Sequence, residues 1–415
     1  MDGTRFRWKY RYNILSVLFI AWGVAVLDRG AMPVALPYIT KEFGLTHFQA
    51  SLIISAFFVG YALSHLPGGI LADRIGPRKV ATFSLLWWSA FTALTGAVTS
   101  LGQLLVVRLL FGLGEGAAPG AMFKTIATWF PKKERATATA IMFTANSVGT
   151  ALSPIIVVAI MAAMGWRAAF YLLFIPGIVV SVLFWLIIRN LPSEVSVILP
   201  DELCEIEEGG LEDETGRGHE LKDLYQPDML KYFFAFLVYD IAYWGFQSWL
   251  PTYLVQARGF SMLEMGAAAS LPFVLGAFGR IAGGWLSDNL FRNKRKILVT
   301  ISQALSGLFL LLTFLSSTTA AMLVCQAICG FFLSAFQSTF WGLPMSSISK
   351  GRIGSATAFI NMGGQIGGLI SPLCIGALLQ MANGDFAAAG LFLEFCMAVS
   401  MAIILWLPKP AAPTG

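Results

Sequence analysis

The length of the uncharged stretches is what most constrains the fold of this chain. No charged residue or histidine occurs from Ile297 to Ser349, a run of 53 residues, or from Ile353 to Gly384, a run of 32. A helix that crosses the hydrocarbon core of a bilayer needs about 20 apolar residues, so each run fits one or two membrane helices. Charged residues make up 12% of the chain, against about 25% in soluble domains, and the mean hydropathy is +0.72. A water-soluble fold is therefore excluded.

Reading each uncharged run as a helix predicts twelve membrane spans. The runs are uniformly apolar and lack the alternation of a transmembrane β-strand, so helices are favoured over a barrel. The predicted spans are 12–37, 48–72, 80–99, 102–127, 136–161, 167–189, 230–256, 262–287, 297–316, 320–345, 353–380 and 386–407.

The positions of the basic residues predict the orientation. If the N-terminus is cytoplasmic, the outer loops contain only Lys41, Arg167 and Arg258, four basic residues fall inside spans, and the other 21 of the 28 are cytoplasmic. Cytoplasmic loops are enriched in Lys and Arg, so both termini are expected on the cytoplasmic side. The net charge of +5 then reflects topology rather than nucleic-acid binding.

Three short motifs recur at nearly one spacing. Gly68-Gly-Ile-Leu-Ala-Asp73 returns as Gly283-Gly-Trp-Leu-Ser-Asp288, Leu36-Pro37 returns as Leu250-Pro251, and Gly149-x-x-x-Ser-Pro154 returns as Gly367-x-x-x-Ser-Pro372, at offsets of 215, 214 and 218. The repeat predicts two pseudo-symmetric six-helix bundles at 1–190 and 230–415, joined by an acidic cytoplasmic linker at 191–229. Transporters built from repeats bind substrate near the membrane midplane between them.

Charges inside the spans are the strongest functional candidates, because an unpaired charge in the bilayer is costly. Arg108 and Glu115 lie seven residues apart on the fourth span, about two helical turns, and therefore share a face. Arg108 could hold a carboxylate, and Glu115 could carry a proton. Asp28 and Arg29 form a similar pair on the first span. The alternative for both pairs is a salt-bridge network that only holds helices together.

Neutral polar and aromatic residues on other spans are candidates for the rest of a binding pocket. Packing or interfacial roles are the alternative for each of them. The candidates are Tyr61, Tyr243, Trp244, Gln247 and Asn361.

Three motifs carry a resemblance to a known family. Gly69-Ile-Leu-Ala-Asp-Arg-Ile-Gly-Pro-Arg-Lys79 follows the second span and resembles the loop signature of the major facilitator superfamily. Together with Leu27-Asp-Arg29 and Arg108-Leu-Leu-Phe-Gly-Leu-Gly-Glu115, it is similar to the anion:cation symporters, which include bacterial sugar-acid permeases and animal sialic acid and vesicular glutamate transporters. The resemblance covers all twelve spans and implies an all-α membrane protein with the major facilitator fold.

The resemblance also implies roles for individual residues. Arg108 would contact the substrate carboxylate, Asp28 and Glu115 would carry protons, and Tyr61, Gln247 and Asn361 would contact the rest of the substrate. The residues themselves add Arg29, a second cation next to Asp28, and Tyr243, which shares a helix face with Gln247. The cytoplasmic position of the loop after the second span predicts an access latch formed by Asp73, Arg74 and Arg78.

The sequence therefore predicts a proton-coupled symporter for a small organic anion, a sugar acid or another hydroxylated carboxylate. We expect a monomer in a bacterial inner membrane, without cofactor, metal or nucleic acid. An exchanger or facilitator for aromatic or dicarboxylic acids remains the alternative. A membrane enzyme is disfavoured because the three histidines are dispersed and the five cysteines lack metal spacing, and an ATP-driven pump because no phosphate-binding loop occurs. A receptor or scaffold would not explain the one-sided intramembrane charges.

Overall fold

The computed structural model describes residues 8–208, 227–291, 294–347 and 353–407, and it is helical in nearly all of them. One short 3-10 turn, Pro192–Glu194, follows the sixth helix. Residues 209–226 of the predicted linker lie outside the described residues. The helices are α1 Tyr10–Phe43, α2 His47–Ile75, α3 Pro77–Ala97, α4 Leu101–Trp129, α5 Lys132–Met164, α6 Trp166–Ile187, α7 Pro200–Glu208, α8 Pro227–Gln256, α9 Met262–Asn289, α10 Arg295–Leu315, α11 Thr319–Phe340, α12 Gly342–Ser347, α13 Ile353–Met381 and α14 Phe386–Trp406.

Each predicted span coincides with one long helix. Eleven of the described helices are long and apolar enough to cross a membrane. The remaining predicted span, 230–256, is α8, which has 30 residues. It is rich in tyrosine and tryptophan, residues that lower its hydropathy. The predicted all-helical architecture is therefore confirmed, and most predicted ends lie within a few residues of the observed ones.

Local capping explains where several helices begin. The hydroxyl of Ser100 accepts a hydrogen bond from the backbone of Gln103 at the start of α4, and Ser261 forms a capping box with Glu264 at the start of α9. Both satisfy backbone donors that a helix start leaves open. Gly76, with a φ of 92°, separates α2 from α3. Only glycine adopts this conformation readily, so the glycine of the loop motif fixes the tight turn.

The described chain divides into two compact units. The first comprises the described residues of Met1–Arg29, Val59–Gly149 and Arg167–Thr215, and the second those of Gly30–Phe58, Thr150–Trp166 and Gly216–Gly415. The boundary passes through α1, α2 and α5 and not through the linker alone. The division into bundles at 1–190 and 230–415 stays a prediction from the sequence repeat.

Contacts inside the second unit explain why it includes the ends of α2 and α5. The hydroxyl of Ser55 on α2 donates a 3.0 Å hydrogen bond to the backbone oxygen of Leu369 on α13. Gly376 of α13 packs directly on Ser51 of α2. Gly266 of α9 likewise packs on α5. The predicted outer ends of the early helices thus pack on late helices through glycine.

The repeated glycine pairs are alike in their packing. Gly68 contacts α4 and Gly283 contacts α11, whereas Gly69 and Gly284 have open space where a side chain would be. Within each unit, the first glycine of the pair is therefore the one that lets two helices approach closely. Other glycines also let helices approach closely, since Gly116 and Gly120 of α4 pack on α2, and glycines of α13 pack on α8.

Candidate functional site

Two helices of the first unit bring four charged side chains together. Asp28 and Arg29 lie on α1, and Arg108 and Glu115 lie on α4. Asp28, Arg108 and Glu115 are each 1–2% exposed, and Arg108 interacts electrostatically with the other three. Two cations and two acids therefore form one cluster, and it joins the two pairs that the sequence placed on separate spans.

Arg29 contacts two partners of the cluster at once. Its Nε donates a 3.1 Å hydrogen bond to Oε1 of Glu115, and its Nη2 donates to the same oxygen. Its guanidinium carbon lies 5.2 Å from the centre of the Tyr61 ring on α2. The side chain of Arg29 is 21% exposed while that of Glu115 is 3% exposed. Arg29 is thus the partly accessible member of a buried ion pair.

Asp28 faces a different neighbour although it is adjacent to Arg29 in sequence. Oγ1 of Thr92 on α3 lies 3.4 Å from Oδ2 of Asp28 and 3.0 Å from the backbone oxygen of Trp88, so its one proton is shared between the two acceptors. The carboxylate also interacts with the side chain of Trp88, and electrostatically with Glu115 and Arg108. The neighbours of Asp28 therefore differ from those of Arg29.

Arg108 lies above an aromatic ring on its own helix. Its guanidinium carbon is 4.5 Å from the centre of the Phe111 ring, a distance typical of cation–π attraction. The three-residue spacing places the two side chains on one face of α4. The ring supports the long side chain of Arg108 inside the cluster.

His65 is a member of the site that the sequence analysis missed. Its ring stacks on that of Tyr61, with centroids 5.5 Å apart and an interplanar angle of 27°. Gly116, next to Glu115, packs against the Tyr61 backbone, which brings this turn of α2 to the cluster. The signal was present as the four-residue spacing of Tyr61 and His65 on a helix that carries a predicted ligand.

The predicted substrate residues of the later spans belong to the second unit. Tyr243 and Gln247 lie one turn apart on α8, and Oε1 of Gln247 is buried with no hydrogen-bond partner among the described residues. Asn361 is exposed on α13. Trp244 packs edge-to-face on Phe58, at 5.1 Å between ring centroids, which supports the packing role considered for it.

The loop residues predicted to form a latch make contacts within the first unit. Asp73 pairs with Lys124 of α4 at 3.0 Å. Arg78 donates to the backbone oxygen of Trp185 and stacks on its ring, and Arg74 is exposed. Lys124 also donates a 3.1 Å hydrogen bond to the backbone oxygen of Ala72, so both of these contacts are with the end of α2. Whether these residues gate access stays a prediction.

Two further charged residues lie on helices of the second unit. Arg280 of α9 donates a 2.8 Å hydrogen bond to Gln337. Asp240 of α8 is 5% exposed, and Gly364 of α13 packs against its carboxylate.

An apolar cavity of about 260 Å³ lies elsewhere in the first unit. It is lined by residues of α2, α3 and α4, including Phe83, Trp87, Leu113 and Lys79, and by none of the four charges. Most of its walls are apolar and suit a hydrocarbon chain. The charged cluster remains the site with chemistry for an anion.

Comparison with known proteins adds independent information. A sequence profile of the Major Facilitator Superfamily matches residues 18–372. The chain is 28% identical to a hexuronate transporter of Bacillus subtilis, covering 98% of this chain and 97% of that protein. It is 32% identical to a probable sulfoacetate transporter of Cupriavidus necator, covering 90% and 88%. It is 31% identical to a probable galactarate/D-glucarate transporter of Escherichia coli, covering 96% and 94%.

Solved structures share the fold at lower identity. A bacterial homologue of the human lysosomal transporter Spinster, in an inward-facing and unoccupied conformation, superposes with a TM-score of 0.79 at 17% identity, covering 96% of this chain and 95% of that one. A D-xylose–proton symporter superposes with a TM-score of 0.76 at 13% identity, covering 97% and 99%. These similarities show a common helical architecture.

Proposed function

The chain belongs to the Major Facilitator Superfamily, and we propose that it is a proton-coupled symporter that imports a small organic anion of the sugar-acid class. The observation that carries the proposal is the ion pair of Arg29 with Glu115 beside Arg108 and Asp28. Such a cluster holds one group that can bind a carboxylate and one that can bind a proton, within contact of each other.

The coupling follows from competition for Arg29. A guanidinium binds carboxylates through a planar fork of donors, so the Glu115 carboxylate and a substrate carboxylate compete for the same group. Protonation of Glu115 removes its negative charge and frees Arg29 for the substrate. Arg108, which cannot release its proton under ordinary conditions, would hold the anion together with Arg29. Loss of the proton from Glu115 would then displace the substrate.

Asp28 would be the second proton carrier. It lies in the same cluster but bonds through Thr92 and not through Arg29. Its protonation would therefore lower the negative charge around the two arginines without changing the position of either. This separates the two acids by role, since Glu115 competes directly with the substrate and Asp28 adjusts the charge balance.

The substrate class rests on the relatives and on the neutral residues. The relatives named as transporters of hexuronate, galactarate and glucarate carry hydroxylated carboxylates. Tyr61 of the first unit, with Tyr243, Gln247 and Asn361 of the second, would supply hydrogen-bond partners for hydroxyl groups. Asp73, Arg74 and Arg78 would act as an access latch.

We propose the inner membrane of a bacterium as the location, with both termini cytoplasmic and a monomer as the transporting form. The relatives are bacterial, and the basic residues follow the cytoplasmic loops of the predicted topology. Uptake would run down the inward proton gradient.

The test is transport by the purified protein in vesicles that enclose a pH dye. D-glucuronate, galactarate, D-glucarate, D-galactonate and sulfoacetate are added singly under an inward proton gradient. Acidification with one acid class, lost in Arg108→Ala, is the expected result. Glu115→Gln should still exchange labelled acid but lose proton-driven accumulation.

Asp201→Asn is the control, because it removes an exposed acid on α7 that lies outside the cluster and outside the predicted spans. It should accumulate substrate as the wild type does. Full accumulation by Glu115→Gln would contradict the coupling role of Glu115. Exchange without acidification in the wild type would favour the alternative of an exchanger, which the dicarboxylate relatives also allow.

A further inference from the structure

Asp240 is a buried acid of the second unit that the proposed transport cycle does not yet use. It lies near the middle of α8, is 5% exposed, and its Oδ1 is buried with no hydrogen-bond partner among the described residues. Gly364 of α13 packs against Oδ2, and the ring of Phe236 lies at the same place. The carboxyl therefore occupies the space that the missing side chain of Gly364 leaves open.

The sequence repeat shows that this interface does not need an acid to pack. With the offset of 214 that relates Leu36-Pro37 to Leu250-Pro251, Asp240 corresponds to Val26 of α1. Val26 packs against Gly149 of α5, and Gly149 is the counterpart of Gly367. The position equivalent to Asp240 is thus apolar in the first half, while Asn146, the counterpart of Gly364 at the offset of 218, accepts a hydrogen bond from Trp22.

Asp240 lies close to the repeat equivalent of a proposed proton carrier. The same offset of 214 relates Asp28 to Ala242, which is two residues from Asp240. At a rise of 1.5 Å per residue, the two positions differ in depth by about 3 Å along the helix. Each half therefore carries a buried acid at a similar depth along its first helix, Asp28 in α1 and Asp240 in α8.

The groups around Asp240 offer it no close cation among the described residues. Tyr239, its neighbour on α8, interacts electrostatically with Asp240, Tyr243, Arg280 of α9 and Cys329 of α11. Arg280 uses its Nη2 to donate to Gln337. From α13, Asp240 meets the backbone of Gly364, and from its own helix the ring of Phe236. Burying an ionised carboxylate in such surroundings costs several kcal/mol.

We propose that Asp240 is a proton-binding site in the second half of the transporter, occupied in the conformation described and emptied when α8 and α13 separate enough to admit water. This inference rests on the proposed proton coupling and extends it from two acids to three. The step is a simple transfer, in which the proton on the carboxyl passes to water and the carboxylate remains. Asp240 would add one proton to the number moved with each anion.

The experiment measures the accumulation limit in vesicles at a clamped zero membrane potential and a gradient of one pH unit. The probe is the acid of the panel that the wild type accumulates. Asp240→Asn and Asp240→Val each remove one proton, which lowers the limiting accumulation about tenfold, since one pH unit is about 1.4 kcal/mol. The valine variant copies the residue at position 26, so it is expected to fold even where the asparagine variant does not.

A limiting accumulation unchanged in Asp240→Val would overturn the inference, even if the rate falls, because a structural role alters rate but not the limit. Asp201→Asn, which removes an exposed acid of α7, should keep the wild-type limit. A wild type without proton-driven accumulation would contradict the proposed function instead. Infrared difference spectra of wild type against Asp240→Val at neutral pH then decide the inference separately. A protonated-carboxyl carbonyl band present only in the wild type supports it, and its absence refutes it.

Discussion

Among the side chains of the charged cluster, Arg29 contacts several groups at once. It bonds Glu115 through two nitrogens, lies over Tyr61 and keeps part of its surface exposed. A lysine would keep the charge but present a point charge in place of a planar fork. The chemistry proposed for Arg29 depends on that fork.

Arg29→Lys should therefore weaken substrate binding more than it weakens folding. We expect the KM for the transported acid to rise about tenfold, equivalent to about 1.4 kcal/mol, because one lysine cannot replace the two-nitrogen contact. The measurement is the concentration dependence of labelled-acid exchange. Arg258→Lys, at a predicted outer loop, should leave KM unchanged. A KM equal to that of the wild type in Arg29→Lys would count against the role of Arg29.

The sequence identified the charged members of the site but not their pairing. The seven-residue spacing of Arg108 and Glu115 predicts one shared face, and both lie in the cluster. Spacing within one helix does not determine which residue of another helix lies opposite, so the pairing of Glu115 with Arg29 was not predicted. The four-residue spacing of Tyr61 and His65 was visible in the sequence, but only the contact of Tyr61 with Arg29 shows that this face of α2 meets the cluster.

Helix pairs in both units approach closely at the first glycine of each repeated pair. A Cβ at position 68 would come within 2.6 Å of the backbone oxygen of Ala117, and one at position 283 within 2.9 Å of that of Ala335. The backbone of the neighbouring helix cannot shift locally to make room for an added methyl group. The second glycines, Gly69 and Gly284, meet nothing within 4 Å.

Gly68→Ala and Gly283→Ala should each destabilise the protein by about 1–3 kcal/mol, because an added methyl group overpacks the helix contact. Gly69→Ala and Gly284→Ala are matched controls, and alanine should there be neutral or stabilising by up to about 1 kcal/mol. Thermal unfolding of the purified variants in detergent measures the difference. Equal melting temperatures within each pair would refute the packing argument.

The elements were largely predictable because their boundaries are marked by charge. Helix ends follow the basic and acidic residues that flank uncharged runs, and the glycine pairs repeat at a constant offset. Contacts between elements were not predictable in the same way. Lys124 is an example, because its ion pair with Asp73 depends on where the end of α2 lies relative to α4.

On the scale of the whole molecule, α7 joins the start of the linker to the first helix. Both oxygens of the buried Glu202 accept hydrogen bonds from the backbone of α1, at Tyr10 and Arg11. Glu205 pairs with Lys9 and Arg11, and Arg11 also pairs with Glu134 of α5. Glu202 thus satisfies backbone donors at the start of α1. The three acids together connect α1, α5 and α7 on the predicted cytoplasmic side.

Stability should depend on pH through Glu205. The hydrogen bond from Lys9 is the largest influence and lowers the pKa of Glu205, against a smaller opposing effect of partial burial. A lowered pKa in the folded protein contributes stability above the ordinary glutamate pKa of about 4.3, and this contribution is lost as pH falls through the folded value. Glu205→Gln should flatten the decline in melting temperature on acidification. Asp201→Asn, an exposed acid of the same helix, should retain it, and an identical decline in Glu205→Gln would contradict the assignment.

The ion pair of Arg29 with Glu115 has a bioenergetic consequence for a cell without substrate. A proton carried inward on Glu115 by the empty transporter would leave Arg29 with neither carboxylate beside it in a poorly hydrated site, which is costly. The pair therefore opposes a futile proton leak through Glu115. A cell without substrate would keep copies of this protein in its membrane with less loss of the gradient that drives its other work.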